Sequence, residues 1–355
     1  MNKRRIFTNR WIIVIVLTLF LMFYQLPFYI STPGMAKELA PIVNVEGGFR
    51  EEGSFSLTTI RMGKATIIQY GLAKLNDYHV IYPEEQIRPE GETDDEYNHR
   101  QLHMMDSSKE QATVVAYTKA NKDISIEYNG VYVLGIVEGM PAEQHLKVGD
   151  RLFAVDNLEM KSSEEFIKYI SQMQANDIVT IRLERNGKPM EVDIPLGVFQ
   201  NNVDDSEDDR VGLGIQLVTD RKVKVNPKVE IKTDEIGGPS AGLMFSLEIY
   251  NQLVEEDITK GYKIAGTGTI SYEGVVGRIG GIKQKVVAAD GSDVEIFFAP
   301  NEEGKTRTDK NGAPILTNYQ EALEAAEDIN SKMKIVPVDT FEEALAYLEQ
   351  LEPKK

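Results

Sequence analysis

Leu243, Met244, Phe245, Leu247, Ile249, Tyr250, Leu253 and Val254 place apolar side chains on nearly every face of a helix. A helix that is apolar all round has to be buried, so this chain must build layers around that segment. Directly before it stand Gly237-Gly238-Pro239-Ser240-Ala241-Gly242, a serine among small residues at the helix start. Unpaired backbone N–H groups and the helix dipole favour developing negative charge there, and small neighbours let a substrate backbone come close. An acyl-transfer nucleophile with an oxyanion site needs these features. All four histidines (His79, His99, His103 and His145) lie upstream of the serine, so a lysine is the obvious base. Gly280-Gly281-Ile282-Lys283-Gln284-Lys285 supplies two. A solvated lysine is protonated at neutral pH, with a pKa near 10.4. Burial among Ile282, Val286, Val287, Ala288 and Ala289 disfavours the charged form. Lys283 and Lys285 stand two apart, so on a helix one points inward and the other outward.

The chain has 355 residues, room for two domains of ordinary size. Its net charge of -17 argues against nucleic acid as a partner, because a phosphate-binding surface needs clustered Lys and Arg. With no cysteine, disulfides, thiolate metal sites and cysteine nucleophiles are excluded together. Lys3, Arg4, Arg5 and Arg10 form a basic tail over residues 1–10, ahead of Trp11 to Ile30, which carry no formal charge. That stretch is long enough for a hydrocarbon core, which needs roughly 20 residues. It ends without the small-residue cleavage site of a signal peptide. The expectation is an uncleaved, single-pass transmembrane anchor over 11–30, with the N-terminus cytoplasmic and the remainder extracellular.

Val131 to Val137 read as a buried strand, Gly139-Met140-Pro141-Ala142 as a turn with a short helix, and Leu146 to Asp156 as a turn feeding another strand. Ser162 and Glu165 can form a capping box before a helical run of Phe166, Ile167, Ile170 and Met173. Ile178–Leu183 and Met190–Ile194 read as strands joined through Asn186-Gly187, a strong hairpin signal. This order, with the Leu-x-x-Gly-Asp turn, resembles a PDZ domain over residues 121–200. The resemblance implies that Gly130 belongs to a carboxylate-binding loop. It also implies that Val131, Tyr132 and Val133 pair with an extended peptide by strand addition. Residues 201–210, rich in Asp and Glu, read as an acidic linker, and no metal site is expected.

Gly238-Pro239-Ser240-Ala241-Gly242, then Gly266-Thr267-Gly268, then Gly280-Gly281-Ile282-Lys283-Gln284-Lys285 with Ala288-Ala289 resemble the protease domain of the Lon family. In that family's pattern the last lysine is catalytic, so the resemblance implies Ser240 as nucleophile and Lys285 as base. Thr267 is implied near the lysine, and backbone around Gly238 and Ala241 at the oxyanion. Lon proteases of the full-length kind carry an ATPase module. Here Gly304-Lys305-Thr306 ends like a P-loop, but Ala299 stands where the first glycine is required. Many members also have an aspartate where this chain has Gly237.

Anchor, PDZ and Lon-type domain together are similar to the secreted-side Lon-like PDZ proteases of Gram-positive bacteria. The expected fold is α+β: an anchor, a PDZ domain and a Lon-type catalytic domain over 211–355. Leu57-Thr58-Thr59-Ile60, and Met105 and Ser107 with Ala112, Ala116 and Ala120, are similar to the opening of a Lon domain. Residues 40–120 are therefore expected to be the first part of the protease fold, with the PDZ inserted into it. The resemblance implies an ATP-independent serine endopeptidase acting on peptides or unfolded protein segments. No cofactor or nucleotide is implied, and a homo-oligomer is compatible with it. A non-hydrolytic scaffold and a domain that processes only itself are the opposing readings.

Overall fold

The computed structural model describes residues 2–88, 92–199, 211–233, 236–305, 307–308 and 313–354. The chain divides into two units. One is assembled from Met1–Asp123, Val225–Arg307 and Ala313–Lys355, the other from Ile124–Lys224 with Thr308–Gly312. In chain order, α1 (Asn2–Phe23) leads into β1 (Gln25–Glu38), β2 (Val43–Val45), β3 (Ser54–Thr66), β4 (Val80–Pro83) and α2 (Asp94–Lys119). The second unit follows with β5 (Asp123–Ile136), β6 (Arg151–Val155), α3 (Ser163–Ile170), β7 (Ile178–Arg185), β8 (Lys188–Pro195) and β9 (Ile215–Asn226). The chain then returns with β10 (Val229–Ile231), α4 (Gly242–Leu253), β11 (Lys263–Gly266), β12 (Thr269–Ile270) and β13 (Val276–Gly277). It closes with α5 (Ile282–Asp290), β14 (Ile296–Pro300), α6 (Asn318–Asp328), β15 (Lys334–Val338) and α7 (Phe341–Glu349).

The stretch expected to be one membrane span is divided. Trp11 to Phe23 lie in α1, whereas Gln25 to Ile30 open β1 and pair with β3, Ile30 opposite Gly63. Proline at position 27 suits an extended segment better than a helix interior. Among the described residues no helix is long and apolar enough to cross a membrane.

In the first unit one sheet runs in the order β15-β14-β11-β3-β1-β4. β11 lies parallel to β3, from Lys263 opposite Ser54 to Gly266 opposite Leu57, and parallel to β14 on its other side. Residues before and after the second unit thus share one sheet. Its central strands alternate their side chains between two buried faces. Ala265, Phe297 and Ala299 pack with Val286, Ala289, Ala322 and Ala325 of α5 and α6. Gly266 and Phe298 turn the opposite way, toward Met244 of α4, whose sulfur lies 2.8 Å from where a Gly266 Cβ would sit. Leu243, Met244, Phe245, Leu247, Ile249 and Leu253 of α4 are buried, each contributing about 1.5–3 kcal/mol. α2 starts on a full capping box, Thr93 with Glu96, and packs against α4.

The second unit is a sheet in the order β9-β5-β6-β7-β8. Its core is Val131, Val133, Leu152, Val155, Phe166, Val179, Ile181 and Leu183 with their neighbours. Asn186 and Gly187 both adopt positive φ, 53° and 75°, which the tight β7–β8 hairpin requires. Ser162 caps α3 by accepting from the Glu165 N–H at 3.2 Å. The Glu165 carboxylate takes the Lys161 N–H instead of that of Ser162, so only half of the expected box forms. Asp150 of the Gly-Asp turn is buried and held by the Arg185 guanidinium and the Lys147 N–H.

Two expectations are corrected here. β9, within the 211–355 expected to be catalytic domain, forms part of the second unit's sheet. Gly130 to Val133 lie on β5, between β6 and β9, with Val131 and Val133 buried. Both edges of β5 are thus occupied, and no strand can add there. The acidic linker at 201–210 lies outside the described residues.

Candidate active site

Every part of the site belongs to the first unit. The serine sits in the turn that feeds α4. Gly238 has φ +91°, a conformation that L side chains avoid, and its N–H donates to the Gln101 carbonyl of α2 at 2.9 Å. A Cβ on Gly242 would come within 2.6 Å of Ile270 Cγ2 and 2.9 Å of Ser108 Oγ. Glycine at that position lets α4 seat against α2 and β12. Pro239 C=O accepts from Ser108 Oγ at 3.0 Å. Ser240 C=O accepts from the Gly268 N–H and from Thr267 Oγ1, both at 2.9 Å. Ser240 itself is only partly buried, so its hydroxyl can be reached.

α5 brings the base. Gly281 enters the helix at φ 72° and the chain turns inward. Lys285 is 2% exposed, and its Nζ lies 2.6 Å from Ser240 Oγ and 2.8 Å from Thr267 Oγ1. Burial lowers the Lys285 pKa to about 7, with no carboxylate to oppose it. Lys283 points the other way, ion-paired with Glu324 at 2.8 Å. Its hydrogen bond to that carboxylate raises its pKa, so it stays a cation.

In the neutral form the protons have one consistent arrangement. Thr267 O–H donates to Ser240 C=O, so Thr267 Oγ1 is left to accept from Lys285 N–H. The remaining lone pair of Nζ is then free for the Ser240 O–H. The three residues form a closed relay that aims an uncharged amine at an accessible hydroxyl.

Ser240, Thr267 and Lys285 are thus brought together. Gly238 is placed differently from expectation, because its N–H is engaged by Gln101 and cannot hold an oxyanion; it shapes the turn instead. Ala241 is the N-cap residue of α4 and is buried. Among the described residues, neither the Ser240 nor the Ala241 N–H has an acceptor. The sequence reading missed Gln101 and Ser108, which hold the turn from α2. The sequence points to the neighbouring Ser107, but Ser108 is the buried one.

The profile of the Lon protease (S16) C-terminal proteolytic domain matches residues 223–349. That segment of the chain is thus similar to the proteolytic domain of Lon proteases. The PDZ domain profile matches residues 104–196. The Lon-type domain is similar to "Lon protease" of Aster yellows witches'-broom phytoplasma (strain AYWB), 27% identical over 120 residues, 34% of this chain and 13% of that protein. It is also similar to "Lon protease" of Methanosarcina barkeri, 30% identical over 108 residues, 30% of this chain and 11% of that protein. The chain thus spans only about an eighth of the length of these Lon proteases. Among solved structures it is similar to the PDZ domain of an SdrC-like protein from Listeria monocytogenes. That match is 33% identical and covers 26% of this chain and 93% of that one, with a TM-score of 0.23.

Proposed function

We propose that the protein is a serine endopeptidase that works without nucleotide, with Ser240 as nucleophile and Lys285 as base. The contact that carries this reading is the 2.6 Å approach of a buried, carboxylate-free lysine to a reachable serine. Neutral Lys285 takes the Ser240 proton while Oγ bonds to the scissile carbonyl carbon, and the carbonyl electrons move onto oxygen. When the tetrahedral species collapses, the C–N bond breaks and the leaving amine takes the proton back from Lys285. Water, deprotonated by the same amine, then attacks the ester, and Ser240 recovers its proton as the acid departs. Thr267 keeps the lone pair aimed at Ser240. The Lon-type domain is read as beginning before the PDZ unit, which is inserted into it; the pairing of β3 with β11 supports this.

Peptide or protein segments are the substrates in this reading, gathered by strand addition in the PDZ unit. The edge read as the peptide site is β9, one of the two outer strands of its sheet. There the Gly212-Leu213-Gly214-Ile215 run, with Gly214 at φ +82°, opens a strand lying beside α3. The groove is bridged further along, where the Ser163 N–H donates to Thr219 Oγ1 at 2.7 Å and Arg221 pairs with Glu164. Ile215 and Leu217 pack against the PDZ core from this strand. The reading also keeps the chain at a membrane, held by the apolar stretch of α1, with the N-terminus cytoplasmic and the catalytic domain outside. Ile12, Val14 to Leu17, Leu19, Phe20, Met22 and Phe23 all lie open to solvent on that helix. An apolar surface of this size does not stay in water.

The test is digestion of a peptide mixture by the full-length chain without nucleotide, read by mass spectrometry beside Ser240→Ala and Lys285→Ala. Cleavage by the parent and a loss of about 1000-fold or more in both variants is expected. Cleavage retained in Lys285→Ala would remove the lysine from the mechanism. Hydrogen exchange on the same samples should slow along Ile215 to Val218 when peptide is present and stay unchanged on β5. Flotation with liposomes should require residues 2–23; a chain lacking them that floats equally well would end the anchor reading.

A further inference from the structure

The peptide unit joining Pro239 to Ser240 is trans, so its C=O and N–H point in opposite directions. Its carbonyl is held by the hydroxyl of Ser108, a residue 2% exposed on α2. The next unit is fixed in the same way, with Ser240 C=O held by Thr267 Oγ1 and the Gly268 N–H. Two adjacent carbonyls are therefore anchored, and the N–H groups of Ser240 and Ala241 face away from those anchors. Among the described residues neither N–H has a partner.

We propose that Ser108 is a positioning residue of the oxyanion site, aiming the Ser240 N–H by holding Pro239 C=O away from the substrate. The inference rests on the reading of Ser240 as nucleophile. Ser108 differs from Thr267 in a useful way. Thr267 touches both the turn and the base, so altering it disturbs Lys285 as well. Ser108 makes no hydrogen bond to Ser240 Oγ or to Lys285 Nζ, so its effect on the oxyanion can be separated from proton transfer. A Cβ on Gly242 would lie 2.9 Å from Ser108 Oγ, so the hydroxyl stands against the head of α4. If Ser108 only satisfied a buried carbonyl, its loss would lower stability and leave the chemical step of the folded enzyme unchanged.

The experiment is steady-state kinetics of the full-length chain on a peptide that the parent cleaves, with Ser108→Ala and Ser108→Thr, across pH. Removing an oxyanion donor outright costs about 100- to 1000-fold in kcat, and misaiming one should cost less. Ser108→Ala is expected to lower kcat by about 10- to 100-fold, with KM within about twofold and the midpoint of the pH profile unmoved. Ser108→Thr, which keeps the hydroxyl, should recover most of that loss. A kcat within about twofold of the parent in Ser108→Ala would overturn the proposal. A displaced pH midpoint, or a threonine variant as slow as the alanine one, would overturn it too. If Ser108→Ala fails to fold, Ser108→Cys decides. A reduced kcat at unchanged KM supports the proposal, and parental kcat overturns it. Parent turnover no higher than that of Ser240→Ala would overturn the peptidase reading and this inference with it.

Discussion

The buried acid on α4 is as unusual as the buried base. Glu248 is fully buried two turns below Ser240 and bonded through Oε1 to Gln252. Glu51 lies beside it, and Asp257 adds a further negative charge. Desolvation first, then mutual repulsion, holds the Glu51 carboxyl well above the usual carboxylate range. Desolvation does the same to Glu248. A raised folded pKa stabilises fully below the unfolded value, and that stability is lost as pH rises through the folded one. Glu248→Gln removes the charge and keeps the shape. It should raise stability by about 1–3 kcal/mol at pH 8 and change little at pH 4, read from urea midpoints. An equal change at both pH values would mean that the carboxyl is ionised throughout.

At the scale of elements, what could be read from the sequence was local and what could not was relational. The apolar run from Leu243, the Asn186-Gly187 hairpin and the glycine-flanked segments around Thr267 and Lys285 each condense their geometry into a few neighbouring residues. The direction of Lys283 and Lys285 follows from helical spacing once one of them is known to be buried. Ser108 gave no such signal, because its partner lies 131 residues away and a serine among serines is unremarked in a helix. The PDZ edge was misplaced for the same reason. Val131 to Val133 look like a peptide-binding strand, but strand order decides which edge is open, and β9, which follows a long segment, covers β5. The run Gly212-Leu213-Gly214-Ile215 was the available clue. The uncharged stretch over 11–30 does not form one helix, because absence of charge alone does not distinguish a helix from the strand that begins at Gln25.

Across the whole molecule, the lysine's ordinary chemistry is changed by the fold and not by any single neighbour. Lys285 sits on α5, whose apolar face is buried against β11, β14 and α6 through Ala265, Val286, Ala289, Phe297 and Ala325. Four separated segments supply Ser108, Ser240, Thr267 and Lys285. They converge because β3, from before the PDZ unit, pairs with β11, from after it. Such a core excludes water from the amine, lowering its pKa to about 7. The consequence for catalysis has a definite sign: below that value the amine is protonated and cannot accept the serine proton, and above it the base is available. The most direct test of the account is the pH dependence of kcat/KM for peptide cleavage by the full-length chain. It should rise to a plateau on the alkaline side, with half-maximal activity at about 7. A profile still climbing toward the ordinary lysine value near 10.4, or flat from acid to alkaline pH, would contradict a desolvated Lys285 as the base.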